Sequence, residues 1–406
     1  MKKDLKRIEY IDKIRPFFDS DIIKVITGIR RSGKSKLLDM IIKEIIKNGV
    51  DDSHIIKINF DDMEYDFLLD AKSLDTYIKE HIKDKKKYYI FLDEIQNVDE
   101  FEKAIESLFA SKNVSIFITG SNSKLLSGEL ATLLTGRTVE FEVKPFTFYE
   151  YNEYSHINNL RFDEEEKFND YIKWGGFPLR FDYDKEDATN QYLNNLYKSI
   201  IEKDILGRYD IKNKNLFKRI ANYLMINPGK LISIENIIKY IGTNEKEKVS
   251  NRTIYNYIEY LSNAYLIQAI KKYNIKGKTE LKNIDKYYII DTGFSYIQTN
   301  KIIFDDSFLL ENIIYNELIY QGYEVFVGKT YKSEVDFVAI KNQKKYFIQV
   351  TYLLASTKTI EREFGAFKPI DDSSPKIVMS LDKIDFSRDG IRHMNILKFL
   401  LHKEIL

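Results

Sequence analysis

The feature that most constrains this chain is a glycine-containing loop between an apolar run and an amphipathic segment. The run Ile22–Gly28 predicts a buried strand, and Lys34–Asn48 predicts a helix. The loop reads Gly28-Ile29-Arg30-Arg31-Ser32-Gly33-Lys34-Ser35-Lys36, which fits the phosphate-binding spacing G-x-x-x-x-G-K-[ST]. Glycines allow backbone amides to face phosphate oxygens, and the helix N-terminus adds positive potential. A glycine turn before an ordinary helix is the alternative interpretation.

The residue types of this loop predict a nucleoside triphosphate as ligand, and we expect ATP with Mg²⁺. Lys34 is expected to reach the β- and γ-phosphates, and the hydroxyl of Ser35 is expected to be a Mg²⁺ ligand. The nine residues from Gly28 to Lys36 are therefore the predicted nucleotide-binding set. No motif in the chain reads the base, so adenine is an inference.

Further apolar runs place this loop in an α/β fold. They are His54–Phe60, Tyr88–Glu94, Val114–Gly120 and Val139–Phe146, with helical segments between them. Strands that alternate with helices predict a parallel sheet covered on both faces. The run at Tyr88 ends in Asp93 and Glu94, at the edge where open α/β sheets bind ligands. We expect Asp93 to hold Mg²⁺ and Glu94 to be the general base for hydrolysis; two surface acids in a turn are the alternative.

Two further residues are candidates for the reaction centre. Asn122 follows the fourth predicted strand and could orient the attacking water, although a turn-forming asparagine fits as well. Arg137 precedes the fifth strand, where it could stabilise charge that develops on the transferred phosphoryl group. Its alternative role is to complement the dipole of the helix predicted over Leu125–Leu134.

The order of these motifs resembles a known family. GIRRSGKS, FLDEIQ, ITGSNS, LLTGRTVEFEVKPFTFYEY and WGGFP are similar to the prokaryotic AAA-type ATPases with a C-terminal domain of unknown function, which are related to archaeal ATPases. The resemblance implies an AAA+ core with strand order 5-1-4-3-2 and a helical lid marked by Trp174–Pro178. It also implies that Asn122 is sensor 1, that Arg137 occupies the arginine-finger position, and that Arg180 is a candidate lid arginine.

A basic middle segment predicts a nucleic-acid partner. Three helical periods, Leu216–Met225, Ser233–Tyr240 and Asn251–Leu261, precede two short strands, which is a winged-helix pattern. Lys212–Lys282 carries a charge of +9 in a chain whose net charge is +1. We expect base contacts from Asn251, Arg252, Tyr255 and Asn256 on the third helix. Phosphate contacts are expected from the wing lysines Lys271, Lys272, Lys276 and Lys278. A winged helix that serves only for packing, or that binds a protein, is the alternative.

The last block resembles the restriction-endonuclease-like fold but lacks part of its chemistry. Glu311 lies on a predicted helix and Asp336 on a predicted strand, as that fold requires. Gln349 stands where the second acid belongs, and Thr351 stands where the lysine belongs. Loss of a carboxylate weakens metal binding, and loss of the lysine removes a cation from the reaction centre. The sequence therefore predicts a degenerate nuclease site, with Lys345 and Lys358 as substitutes that nothing favours.

These patterns predict four domains: an ATPase core (1–145), a helical lid (146–210), a winged helix (211–290) and a nuclease-like domain (291–406). The absence of cysteine excludes disulfides, zinc fingers and iron–sulfur clusters. No apolar run approaches a bilayer span, so we expect no membrane partner and a cytoplasmic location. The predicted function is an ATPase whose nucleotide state controls DNA or protein binding. An ATP-gated nuclease and an ATP-bound interaction protein with negligible hydrolysis are the alternatives. A homo-oligomer is expected if Arg137 acts on a neighbouring copy.

Overall fold

A computed structural model describes residues 2–111, 113–123, 136–160, 162–242, 249–299, 306–331 and 333–406. The chain divides into two compact units. The N-terminal unit consists of residues 4–145 and 263–265, and the C-terminal unit consists mainly of residues 146–262 and 266–406. The division into four domains stays a prediction.

The N-terminal unit is built on a five-stranded parallel sheet. Its strands are β1 (Ile23–Thr27), β2 (Ile55–Asn59), β3 (Tyr88–Asp93), β4 (Val114–Thr119) and β5 (Thr138–Glu142). The order β2-β3-β4-β1-β5 confirms the order expected from the family resemblance. Every residue of β1, β3 and β4 is buried, as expected for central strands covered on both faces.

Four helices of this unit are described: α1 (Ile8–Ile14), α2 (Lys34–Lys47), α3 (Ala71–His81) and α4 (Phe101–Phe109). Helix α2 buries Leu37, Leu38, Ile41 and Ile45, which recur at helical spacing and form its apolar face. The helix begins at Lys34, directly after Gly33 of the phosphate-binding loop.

The C-terminal unit begins with helices. They are α5 (Phe148–Ile157), α6 (Glu164–Trp174), α7 (Glu186–Ser199), α8 (Lys214–Met225), α9 (Ile234–Ile241) and α10 (Asn251–Asn263). A π-helical stretch, Ile200–Leu206, continues α7. Helices α5 and α6 both begin with capping boxes, from Thr147 with Glu150 and from Asp163 with Glu166.

A seven-stranded mixed sheet follows in the same unit. Its strands are β6 (Ile267–Asn274), β7 (Thr279–Ile289), β8 (Glu324–Lys329), β9 (Glu334–Lys341), β10 (Lys344–Val350), β11 (Lys376–Ser380) and β12 (Arg392–Asn395). The order is β12-β11-β10-β9-β8-β6-β7. The hairpin β6–β7 therefore belongs to the same sheet as the strands of the tail, because β6 pairs in parallel with β8.

The helices around this sheet are α11 (Thr292–Gln298), α12 (Asp306–Tyr320), α13 (Thr357–Gly365) and α14 (Ile396–Leu400). From α12 onward the order is helix, three antiparallel strands, helix, and a strand parallel to β10. None of the helices in the described ranges has the length and apolar character needed to cross a membrane.

Candidate functional site

The phosphate-binding loop has a backbone that requires glycine at its first position. Gly28 has φ +130°, and a Cβ there would lie 2.2 Å from the carbonyl oxygen of Val143. Gly33 has φ +101° and lies directly before α2. Left-handed conformations of this kind are strained for residues with a side chain. The positive φ angles of the backbone therefore explain why both positions of the motif are glycine.

Lys34 is buried at the start of α2 and is held by the loop itself. Its Nζ donates to the carbonyl oxygens of Gly28 at 3.1 Å and Ile29 at 3.3 Å. The same Nζ lies 3.6 Å from Oε1 of Glu94. One ammonium group thus links the phosphate-binding loop to the acidic pair at the end of β3.

Asp93 ends β3 and is only 1 % exposed. Its carboxylate accepts hydrogen bonds from the hydroxyls of Thr119 and Ser35. Burial raises the pKa of Asp93, and these two hydrogen bonds oppose the shift. The two residues predicted to hold Mg²⁺, Ser35 and Asp93, are therefore in contact. Their oxygen ligands suit that ion.

Glu94 follows in a left-handed conformation with φ 54°. Its backbone N–H donates to the Thr119 hydroxyl at 2.9 Å. One carboxylate oxygen faces Lys34, and the other accepts a hydrogen bond from the side-chain amide of Gln96. Sequence reasoning missed Thr119 and Gln96; the only signal for them was their position at the ends of β3 and β4.

Arg7, which the sequence analysis also did not identify, is hydrogen-bonded to the phosphate-binding loop. The guanidinium of Arg7 donates to the carbonyl oxygens of Ser32 at 3.2 Å and Lys144 at 2.8 Å. It also lies 4.4 Å from the ring centroid of Tyr10. Because Arg7 is far from both partners in sequence, no local pattern could have identified it.

The remaining residues predicted to bind nucleotide differ in exposure. Ile29 and Ser32 are buried, Arg30 is partly buried, and Arg31 is exposed. Lys36 is exposed and pairs with Asp4 at 3.2 Å. Asn122 is buried three residues after β4.

Arg137 lies at the opposite end of β1 from the phosphate-binding loop. Its carbonyl oxygen accepts a hydrogen bond from the N–H of Ile23, at 2.8 Å, where β1 begins. The loop follows the other end of this five-residue strand, roughly 16 Å away at 3.3 Å per residue. The exposed guanidinium lies 5.0 Å from the ring centroid of Phe109. Arg137 is therefore remote from its own phosphate-binding loop, and the helix predicted over Leu125–Leu134 lies outside the described residues.

The Trp174–Pro178 turn is a buried junction within the C-terminal unit. The carboxylate of Asp291 accepts hydrogen bonds from the N–H groups of Gly176 at 2.6 Å and Gly293 at 2.9 Å. A Cβ on Gly175 would lie 1.7 Å from that carboxylate, so the position requires glycine. Burial raises the pKa of Asp291 to about 6.

Arg180, the candidate lid arginine, is buried beside this junction. Its guanidinium donates to the carbonyl oxygen of Gly175 at 2.6 Å and to Asp170 at 2.8 Å. It also lies 4.0 Å from the ring centroid of Phe181. These contacts give Arg180 a structural role inside its own unit.

Three of the residues predicted to contact DNA line one groove of the C-terminal unit. Asn251, Arg252 and Tyr255 are exposed on α10, and Asn256 is partly buried. Asn251 and Tyr255 line a groove of about 460 Å³ together with Lys272 of β6. Lys271 is exposed and pairs with Glu280 at 3.0 Å.

A second pocket, of about 440 Å³, contains the residues predicted as a degenerate nuclease site. Glu311, Asp336 and Gln349 all line it. Asp336 accepts from the N–H of Val350 at 2.8 Å, and its own N–H donates to Gln349 at 3.3 Å. Burial, followed by repulsion from Glu311, raises the pKa of Asp336. The structure thus brings the three predicted residues together.

Charged residues that the sequence did not assign to this pocket line it or contact its lining residues. Lys286 of β7 lies 3.1 Å from Glu311 and 3.2 Å from Glu334, and Glu363 of α13 lines the pocket wall. Lys345, one of the two suggested substitutes, pairs instead with Asp372. Across the described ranges, no three His, Cys, Asp or Glu side chains are grouped closely enough to hold a metal ion.

Comparisons with known proteins agree with the fold of the N-terminal unit. A family model described as an AAA domain matches residues 20–152, and a model of a domain of unknown function matches residues 165–310. A Walker-type ATPase from Pyrococcus abyssi has a TM-score of 0.52 at 16% identity, covering 73% of this chain and 96% of that one. At that identity, the likeness supports the fold alone.

Two full-length relatives define the family. An uncharacterized protein from Haemophilus influenzae is 34% identical over 402 residues, covering 98% of this chain and 99% of the relative. An uncharacterized protein from Methanocaldococcus jannaschii is 34% identical over 391 residues, covering 92% and 84%.

The sheet order, the loop after β1 and the acidic pair after β3 define the class, an AAA-type P-loop ATPase fold. Within that class, the chain belongs to the family of these two proteins. In this chain, the AAA domain precedes the domain of unknown function.

Proposed function

We propose that the chain binds ATP with Mg²⁺ at the phosphate-binding loop and hydrolyses it. The observation that carries this proposal is the placement of the Lys34 ammonium 3.6 Å from Glu94, directly beside the loop. Backbone amides of the loop and Lys34 would bind the phosphates. Ser35 and Asp93 would hold Mg²⁺, which supplies charge neutralisation at the phosphates.

Glu94 is the general base of this proposal. Its carboxylate lies at the end of β3, positioned by its backbone hydrogen bond to Thr119 and by the amide of Gln96. A carboxylate in this position accepts a proton from water as the water attacks the γ-phosphorus. Asn122 remains the candidate that orients this water.

Two substitutions test the proposal. Lys34→Ala should abolish nucleotide binding, and Glu94→Gln should retain binding but lower phosphate release by roughly 100- to 10,000-fold. Binding is measured with a fluorescent ATP analogue and turnover by phosphate release. Unchanged turnover in Glu94→Gln would remove Glu94 as the base. Absence of turnover in the wild type would favour an ATP-bound interaction protein.

We further propose that nucleotide state controls DNA binding by the C-terminal unit, although a protein partner remains an alternative. Three helices (α8, α9 and α10) followed by the hairpin β6–β7 support a winged helix. The +9 charge of Lys212–Lys282 supports a polyanionic partner. The exposure of Asn251, Arg252 and Tyr255 at the start of α10 is consistent with a reading helix.

The DNA proposal is tested by phosphate release with single- and double-stranded DNA at two salt concentrations. DNA should change the rate, and the effect should weaken as salt rises, because released counterions supply the binding energy. Arg252→Ala should weaken duplex binding. Glu259→Ala, an exposed residue of the same helix, is the matched control. A rate that DNA leaves unchanged would contradict control by DNA.

A metal-dependent nuclease is the second candidate function. The observation that favours it is the position of Lys286, 3.1 Å from Glu311. The helix–strand order from α12 to β11 supports an endonuclease-like fold, and Lys286 supplies the amine that Thr351 lacks. However, its ammonium group already neutralises Glu311 and Glu334. Cleavage that needs Mg²⁺ or Mn²⁺ and is lost in Asp336→Ala would establish this activity. No cleavage with either metal would set it aside.

A further inference from the structure

Two turns lie side by side at one end of the seven-stranded sheet. Strands β6 and β8 are parallel and remain paired as far as Asn274 and Lys329. The N–H of Ile275 then donates to the carbonyl oxygen of Lys329 at 3.1 Å. Beyond these residues, both strands turn at the same edge of the sheet. We call Lys276, Lys278, Lys329 and Tyr331 the paired-turn surface.

The paired-turn surface is basic and open to solvent. Lys276, Lys278 and Lys329 are all exposed, and none forms an ion pair with a described residue. Glu280 on the hairpin is already paired with Lys271 at 3.0 Å. Glu334, opposite Lys329 on β9, is paired with Lys286 at 3.2 Å. The three ammonium groups therefore leave a positive potential that suits a polyanion.

Tyr331 gives this basic surface an aromatic ring. It is 97 % exposed, the highest value among the large apolar side chains of the described residues. Its turn is closed by hydrogen bonds from Thr330 N–H to the Ser333 carbonyl at 2.9 Å and from Ser333 N–H to the Thr330 hydroxyl at 2.8 Å. The ring therefore stands almost wholly in solvent and is accessible to a ligand.

We propose that the paired-turn surface binds single-stranded DNA, with the lysines on phosphates and a base stacked on Tyr331. The inference rests on the proposed control by DNA and specifies which form of DNA this surface takes. An unpaired base offers a face for stacking. A base within a duplex offers only its edges in the grooves. An exposed ring among lysines therefore selects the unpaired strand.

The paired-turn surface follows closely along the chain from a strand that lines the region predicted to contact DNA. Lys272 lines the groove shared with Asn251 and Tyr255, and β6 ends two residues later at Asn274. DNA that occupies this groove can therefore extend along β6 to the two turns.

Fluorescence anisotropy of a labelled oligothymidine and of a duplex of matched length tests the proposal with the full-length protein. Tyr331→Ala should weaken oligothymidine binding roughly 5- to 100-fold and leave duplex binding nearly unchanged. Tyr331→Trp should keep the affinity, because the stacking face is retained. Tyr183→Ala, at an exposed tyrosine outside the paired-turn surface, is the control and should change neither.

The lysines are tested by salt dependence. Replacement of Lys276 and Lys278 by glutamine should lower the slope of log affinity against log salt by about 1.4, from two lost contacts with single-strand phosphates. The inference would be overturned if Tyr331→Ala lowered the affinity for oligothymidine and for the duplex equally, or if it bound oligothymidine as tightly as the wild type. If Tyr331→Ala still shows an ATPase rate that depends on DNA, the proposed control by DNA stands. If the wild type binds neither oligothymidine nor the duplex, the proposed control by DNA and this inference both fail.

Discussion

At the scale of single residues, the Thr119 hydroxyl connects the two acids of the nucleotide site. It donates to the carboxylate of Asp93 and accepts the backbone N–H of Glu94 at 2.9 Å. One side chain on β4 therefore sets the orientation of a metal ligand and of the proposed base. Groups that orient ligands in this way influence activity almost as strongly as the ligands themselves.

Thr119→Val keeps the shape of the side chain but removes the hydroxyl. We expect phosphate release to fall by about 10- to 100-fold, because Asp93 and Glu94 lose their common partner. Nucleotide binding should change less, since the phosphate-binding loop is intact. Thr119→Ser retains the hydroxyl and is the matched control. Wild-type turnover in the valine variant would show that the hydrogen bonds have no catalytic consequence.

The site residues that could be predicted from the sequence are those that belong to a short, continuous motif. Gly28, Lys34, Asp93 and Glu94 lie at the ends of apolar runs, where spacing alone indicates a phosphate and metal site. Arg7 was missed because it acts through carbonyl oxygens 25 and 137 residues away. Contacts between distant segments depend on the fold and leave no periodicity in the sequence.

At the scale of elements, the Trp174–Pro178 turn joins two helices through a buried carboxylate. Asp291 caps α11 and at the same time binds the N–H of Gly176. The glycine pair was expected to turn, but its partner could not be foreseen, because Asp291 lies 115 residues away from Gly176. The strand order 5-1-4-3-2 likewise came from the family resemblance, since the spacing of the apolar runs does not fix it.

The raised pKa of Asp291 predicts a dependence of stability on pH. Its pKa is about 6 in the folded chain and 3.8 when unperturbed, so the folded state binds this proton more tightly. Its contribution to the free energy of unfolding is therefore greatest at low pH. That contribution falls as pH rises from about 4 to about 6, by on the order of 3 kcal/mol.

Asp291→Asn isolates this effect. The asparagine does not titrate, so the free energy of unfolding of the wild type minus that of the variant should fall across this pH window. Chemical denaturation at a series of pH values measures both curves. Parallel curves from pH 4 to pH 7 would mean that Asp291 titrates normally in the folded chain.

At the scale of the whole molecule, Arg137, the proposed arginine finger, lies far from the phosphate-binding loop of its own chain. It lies where β1 begins, and the phosphate-binding loop lies where β1 ends. If Arg137 is a finger, this separation means that it would act on the nucleotide of another copy. The oligomeric prediction and the finger prediction are therefore one hypothesis.

Mixing two variants tests this hypothesis. Arg137→Ala keeps its own nucleotide site, and Lys34→Ala keeps its finger, so each should be inactive alone. A mixture should recover turnover, because a Lys34→Ala copy can supply Arg137 to the site of its neighbour. Phosphate release across a range of mixing ratios measures the recovery. Full activity of Arg137→Ala alone would exclude a finger role.

The pairing of β6 with β8 has a consequence for how the C-terminal half can be divided. A fragment that ended after β7 would keep the hairpin but leave the backbone donors and acceptors of β6 at Lys272–Asn274 without their partners on β8. Such an open edge attracts other strands and promotes aggregation. We therefore expect the hairpin and the tail to fold as one unit, so that replacing either by an unrelated domain would leave the other with an unpaired strand edge.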